Sequence, residues 1–510
     1  MKLKNLFFTL LMLFGIATVP AMAQETPSAT SDSGTLVLTL EQALEIALSE
    51  NPTVKIADET IVAKKYAKKG TYAALWPEIS ASGSFQRYIE KPSFHIMGQT
   101  VKMGTTNTVS GGVSAAMPLV NAQLWRSLKL SAMDVELAVE QARSSRIDMI
   151  EQVSKAFYQV LLAKDSYNVY KRVYDNAVEN HKIVEKRYSV GQVSEYDFIR
   201  SQVNVANAEP NVFEAENSVM LTLWQLKALL GLDLQMEIDV EGTLMDYKSA
   251  MDEAYTLSQL DLTDNTTMKQ LELQEQMLDK ALQIKKLANV PTLSINAAYL
   301  YTALGNDGKF GQKEAWNPYS YAGVQLNIPI FAGLSRRSAT RQARLDLSNL
   351  QLQRENIERQ LRVAMVQSLN SMQTSVKQFN SANATVEQAK RGYEISVKRY
   401  DVGKGTLVEI DNSQLALTQA ELSRNSAIYN FLNSKIALDK ILGNIERNLE
   451  EILLFAAVHG DFIEPALFNY IDETDVAKAN FGHIDSQLLF CGHTHTPGVF
   501  LVGSSGNVYK

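Results

Sequence analysis

The 510-residue chain has a single cysteine, Cys491, which excludes a disulfide framework and a cysteine-based zinc cluster. A formal net charge of −7 and a pI near 5.6 argue against a nucleic-acid binder, which carries a basic face. No segment after the N-terminus is apolar and long enough to span a bilayer as a helix, which takes about 20 residues. Proline is the most informative scarcity. From Leu119 to Val290 the only proline is Pro210, and from Ile330 to Glu464 there is none. Both stretches are rich in Ala, Leu, Gln, Glu, Lys and Val, the composition of long helices. Length alone would suggest about three compact domains. A helix from about Asn121 to Tyr188, however, would be ~100 Å long. Such a rod needs helical partners along its whole length, as in a coiled coil.

At the N-terminus, Lys2 and Lys4 precede an apolar run, Leu6 to Val19, that is too short to span a membrane, and Ala21-Met22-Ala23 forms a small-x-small cleavage site. Residues 1–23 therefore read as a secretory signal peptide, and no cysteine stands after the site to carry a lipid anchor.

The body repeats itself. Arg187, Tyr188, Val190 and Gly191 return as Arg399, Tyr400, Val402 and Gly403; Ser201-Gln202 returns as Ser413-Gln414, and Leu230-Gly231 as Leu442-Gly443. One unit of roughly 210 residues has been duplicated. Each copy also contains segments of period two. Ile79, Ala81, Gly83 and Phe85 alternate with serines and Gln86, and Val109, Val113, Ala115 and Met117 with Thr108, Ser110, Gly112 and Ser114. In the second copy Leu293, Ile295, Ala297, Tyr299 and Tyr301, then Ala322, Val324, Leu326 and Ile328, do the same. These are four strands in two hairpins, joined by long loops at about 90–105 and 303–318. A soluble antiparallel sheet shows such alternation, but the rods leave nothing to cover one. An exported chain with ~10-residue strands also fits a transmembrane barrel, which starts at eight strands. Because lipid forbids an open sheet edge, four strands must close by oligomerisation.

The opening TLEQALEIALSENPTV at Thr39, the WPEIS at Trp76, the twin RYxVG turns and the spacing of hairpins resemble the TolC-like outer-membrane efflux family over about residues 39–447. The resemblance implies a mainly helical fold with a β-barrel part. A homotrimer would pool four strands per chain into a 12-stranded barrel in outer-membrane lipid, continued by a periplasmic helical barrel of a Gram-negative bacterium. The expected parts are a linker at 24–38, a first repeat at 39–235, an equatorial linker at 236–266, a second repeat at 267–447 and a tail at 449–510. Each repeat should hold one long helix (Asn121–Tyr188, Leu334–Tyr400) and short ones at Leu40–Leu75 with Ser194–Leu230, and Thr267–Ala288 with Thr406–Leu442.

The implied function is passive: the exit duct of a tripartite efflux or type I secretion system, with a periplasmic adaptor and an inner-membrane pump as partners and no cofactor. No catalytic constellation is visible before the tail, and His95 and His181 read as surface residues. By the resemblance, acidic rings narrow the entrance at Glu409 and Asn412. Asn412 departs from the acidic pattern, and Asp411 compensates. Asp197 and Arg200, the first-repeat equivalents, would pair with the second repeat's acids. The turns carrying Arg187, Tyr188, Val190 and Gly191, and Arg399, Tyr400, Val402 and Gly403, would dock the adaptor.

The tail holds eight acidic residues, two lysines and four of the six histidines. Gly492-His493-Thr494-His495 and the VHG at His459 resemble closing motifs of calcineurin-like metallophosphoesterases. In that family His459 and His493 would hold one metal and His495 the other. The motifs that supply the remaining ligands are missing from their expected place upstream, and two-metal hydrolysis needs a full set. The histidines are expected to be vestigial, and the tail to be the scar of a gene fusion or of sequence assembly.

Overall fold

The computed structural model describes residues 36–96, 99–102, 104–252, 261–306, 316–445, 456–458, 488–491, 498–502 and 508–509. In chain order these form β1 (Leu36–Leu38), α1 (Leu40–Glu50), α2 (Pro52–Ala73), β2 (Glu78–Arg87), β3 (Ser93–Ile96), β4 (Gln99–Lys102), β5 (Asn107–Val120), α3 (Ala122–Ser189), α4 (Glu195–Leu230) and β6 (Ile238–Val240). Next come a 3-10 helix (Leu244–Asp252), α5 (Thr266–Leu287), β7 (Thr292–Gly305), β8 (Trp316–Asn327), α6 (Ser335–Asp401) and α7 (Leu407–Leu442). The tail contributes β9 (Ala456–Val458), β10 (Leu488–Cys491), β11 (Gly498–Val502) and β12 (Val508–Tyr509), in the sheet order β12-β11-β10-β9. The segment read as a signal peptide, 1–23, and the four tail histidines lie outside the described residues.

The four long strands form one antiparallel sheet, β2-β5-β7-β8, with the two repeats meeting between β5 and β7. Its register joins Ile79, Ala115, Ala297 and Ala322 in one row, and Phe85, Val109, Ala303 and Trp316 in another. The opposite face carries the row Ser84, Ser110, Thr302 and Asn317. There Ser84 bonds Ser110 at 2.7 Å and Ser80 bonds Ser114 at 3.0 Å. All four strands therefore share one phase, and a one-residue slip would exchange the faces. Leu300, Tyr319 and Tyr321 interrupt the polar face. The apolar face is uncovered: Ile79 is 71 % and Val324 63 % exposed. In one respect the loops depart from expectation. His95 lies not in an irregular loop but in β3, whose backbone pairs with β4 as a small hairpin.

Below the sheet, α3 and α4 form one helical hairpin and α6 and α7 the other. Pro210 sits inside α4, which continues on both sides of it. The largest core lies at mid-height, where Phe157 and Leu161 of α3, Leu226 of α4, and Ile428, Phe431 and Leu438 of α7 are fully buried. Two differences from the sequence reading arise here. The segments read as linkers contribute β1 and β6, which pair in parallel and bury Leu38 and Val240. Three-residue strands are too short for a period to show. The segment Leu40–Leu75 is also two helices, not one, because Pro52 lacks an N–H and Asn51 caps the second of them.

Asn51 and its repeat counterpart Asn265 are 5 % and 4 % exposed. Each caps a helix with its side-chain oxygen, accepting from Thr53 N at 2.8 Å and Met268 N at 3.0 Å. Each donates its amide to the end of the repeat's last helix, Asn51 to Leu229 O at 2.7 Å and Asn265 to Ile441 O at 2.8 Å. Losing the cap costs about 1 kcal/mol, and a buried carbonyl left unpaired about 1–3 kcal/mol. Asn265→Ala should therefore lower the thermal unfolding midpoint by clearly more than Ser194→Ala, which removes an exposed cap. Equal shifts in a calorimetric scan would rule out the latch.

Candidate functional site at the hairpin tips

Both hairpins end in the same turn. Gly191 (φ 74°) and Gly403 (φ 73°) take the left-handed conformation that glycine adopts at least cost. Gln192 N donates to Arg187 O and Lys404 N to Arg399 O, both at 2.8 Å, while each glycine N–H donates to the preceding tyrosine carbonyl, Tyr188 O or Tyr400 O. These paired bonds close the helix C-termini. The next helices start at Ser194 and Thr406, whose hydroxyls accept from Asp197 N at 3.2 Å and Glu409 N at 3.3 Å. The turn thus leaves Val190 and Val402 projecting, 67 % and 68 % exposed.

A ladder of polar contacts ties the first hairpin to the second. Nearest the tip, Arg187 donates to Asp401 Oδ1 at 3.2 Å and to Tyr400 O at 3.4 Å, with its guanidinium 5.1 Å from the Tyr400 ring centre. Burial pushes the Tyr400 phenol up. On the next rung, Asp411 accepts from Arg200 Nε and Asn204 Nδ2, both at 2.8 Å. The hydrogen bond that Arg200 donates to Asp411, then the one it donates to Tyr196, raise the pKa of its guanidinium. Further along, Asn176 donates to Gln414 at 3.2 Å, and Arg172 pairs with Glu421. Between these rungs lies a groove of about 260 Å³ lined by Asn176, Asn180, Asn204, Asn207 and Asn211.

The other sequence candidates sit apart from this ladder. Asp197 does not reach the second repeat; it accepts from its own cap, Ser194, at 2.8 Å. Glu409 lies 3.7 Å from Arg399 of its own hairpin, which in turn donates to Lys404 O. Asn412 is exposed on α7. Tyr188 stacks on Phe198, with centres 4.9 Å apart. His181 is half-buried rather than a plain surface residue and bonds Ser201 at 2.8 Å. Among the described residues no cluster of His, Cys, Asp or Glu could hold a metal, and no helix is long and apolar enough to cross a membrane.

Two tandem matches to the family model described as outer membrane efflux protein cover residues 43–232 and 257–444. The chain belongs to the outer membrane efflux protein family. It is 20 % identical to the outer membrane protein TolC of Vibrio cholerae over 341 residues, covering 67 % of this chain and 78 % of that one. It is 21 % identical to the alkaline protease secretion protein AprF of Pseudomonas aeruginosa over 355 residues, 68 % of this chain and 72 % of that one. The fold matches the outer membrane channel CmeC of Campylobacter jejuni with a TM-score of 0.66 at 17 % identity, over 84 % of this chain and 93 % of that one. As a member of the outer membrane efflux family, the protein is an efflux channel of the Gram-negative outer membrane. The family match ends at residue 444, ahead of the tail.

Within this efflux fold, sequence reasoning reached Arg187, Arg200 and Asp411 but missed Asn204, Asn176 and Arg172. A signal was present where the copies differ. At the 212-residue offset Asp411 stands opposite Ile199, and Arg200 opposite Asn412. A charge present in only one copy is what a contact between non-equivalent faces of two copies requires.

Proposed function

We propose that three copies of this chain close the four-stranded sheet into a twelve-stranded barrel and work as a passive exit duct. One observation carries this reading: an antiparallel sheet with an uncovered apolar face whose edge strands, β2 and β8, have no neighbouring strand on their outer sides among the described residues. Unpaired backbone groups are not tolerated in lipid, so the edges pair with neighbouring copies. The helical hairpins then line a tube with the tips at its far end. A periplasmic adaptor docks on the projecting Val190 and Val402, and couples the duct to an inner-membrane pump in a tripartite efflux or type I secretion system. The duct performs no catalysis; it needs a wall, a lumen and a gate.

The gate is the ladder at the tips. Arg200, Asn204 and Asp411 hold the two hairpins of one chain together, and Glu409, with Asn412 one turn on, faces the entrance three-fold. Purified protein in a planar bilayer tests the whole reading: a soluble monomer, or a trimer without conductance, would sink it. A ring of carboxylates favours cations. Glu409→Lys, which also places like charge beside Arg399, should move the reversal potential in a salt gradient towards anion permeability. An unchanged potential would remove Glu409 from the gate. The alternative, a metal-dependent phosphoesterase in the tail, would need ligands beyond His459, His493 and His495, and no observation favours it.

A further inference from the structure

All four junctions between sheet and helices lie at one end of the sheet: α2 leads into β2, β5 into α3, α5 into β7 and β8 into α6. The helix ends there carry charge of one sign. On α2 these are Lys64, Lys65, Lys68 and Lys69, with no acid between residues 60 and 76. Arg126 and Lys129 open α3, with no acid from 121 to 133, and Lys285 and Lys286 close α5, with none from 281 to 291. Arg336, Arg337, Arg341 and Arg344 open α6, with none from 328 to 345. Twelve basic residues on these helix ends, against the single carboxylate of Glu78 at the start of β2, stand out in a chain whose net charge is −7. Directly above them, at the junctions, sit large aromatic side chains in the open: Phe331 is 79 %, Trp76 73 % and Trp125 48 % exposed.

We infer that this collar binds anionic phospholipid headgroups of the inner leaflet of the outer membrane. The inference rests on the barrel reading above. Exposed aromatic rings mark the level where hydrocarbon gives way to headgroups. At 1.5 Å per residue, Lys68, Lys69, Arg126, Lys285, Lys286 and Arg337 lie within about 8 Å of the sheet-side ends of their helices, close to the headgroup layer. Arg336 stands beside Arg337, and Lys64, Lys65, Lys129, Arg341 and Arg344 extend only about one Debye length further, within range of the leaflet's surface potential. Long Lys and Arg side chains can lay their stems on apolar surface and raise the cation to phosphate. The collar anchors the duct at its depth in the membrane.

The test uses the full-length channel extracted into mixed micelles with equal phosphatidylglycerol and phosphatidylethanolamine, with retained lipid counted by native mass spectrometry. The wild type should retain phosphatidylglycerol about tenfold or more in preference. The neutral variant Lys68→Gln/Lys69→Gln/Lys285→Gln/Lys286→Gln/Arg337→Gln should lose that preference, and the matching Lys→Arg variant should keep it. Bilayer conductance of each preparation reports assembly. A conducting wild type without preference, or a conducting neutral variant that keeps it, overturns the lipid inference and leaves the channel reading standing. A neutral variant that keeps the preference and changes ion selectivity would place the collar in the lumen, which also overturns the inference. A wild type that neither conducts nor forms trimers overturns both.

Discussion

Asp411→Ala is expected to open the channel. Its carboxylate is the acceptor for both Arg200 and Asn204, so one substitution frees α7 from α4 on that rung. Hydrogen bonds to a charged group contribute about 1.5–3 kcal/mol each, and 1.4 kcal/mol is a factor of ten in an equilibrium. Each chain should therefore shift its closed-to-open ratio by roughly tenfold or more, in all three copies at once. The checks are single-channel conductance and the frequency of long openings in a planar bilayer. The exchange Arg200→Asp with Asp411→Arg restores the ion pair with its poles reversed, and should recover most of the closed behaviour. An Asp411→Ala channel that gates like the wild type would show that the rung is not the lock.

Gly443→Ala should have the largest effect on stability. Gly443 has φ 72°, and a Cβ there would stand 2.2 Å from Asp264 O and 2.6 Å from its carbonyl carbon. Left-handed backbone costs a non-glycine residue about 1–2 kcal/mol, and forcing backbone apart in a packed region about 1–3 kcal/mol more. The repeat counterpart supplies the control. Gly231 has the same φ of 72°, but its Cβ would lie 3.2 Å from the nearest atom, Glu50 O. Gly231→Ala should therefore pay little beyond the backbone term. Heat-induced unfolding of the two variants, compared side by side, decides the matter, and equal losses would mean that the Asp264 contact yields without cost. The same corner holds Asn265 and its bond to Ile441 O, so the two substitutions damage one latch from both sides and should not add.

The sequence by itself determined the order of the long helices and the four long strands, the duplication, the apolar face of each of those strands and the glycines that stop the helices. These arise from local causes that act within a few residues: propensity, a period of two, the missing N–H of proline, and the freedom of glycine. It also narrowed the tip to the right turns. It could not determine which partner each charged residue takes there. Arg200 and Asp411 are 211 residues apart, and Arg187 and Asp401 are 214 apart. No period links such positions, and local chemistry offered Asp197 and Glu409 as equally good partners. Only the tertiary structure decided that Asp197 turns back to its own cap, that Glu409 meets Arg399, and that Asp411 receives both donors of α4. The reason is geometric. Two copies of one hairpin pack through non-equivalent faces, so even a residue present in both copies, such as Arg187 and Arg399, meets different partners in each, and packing alone fixes which faces those are.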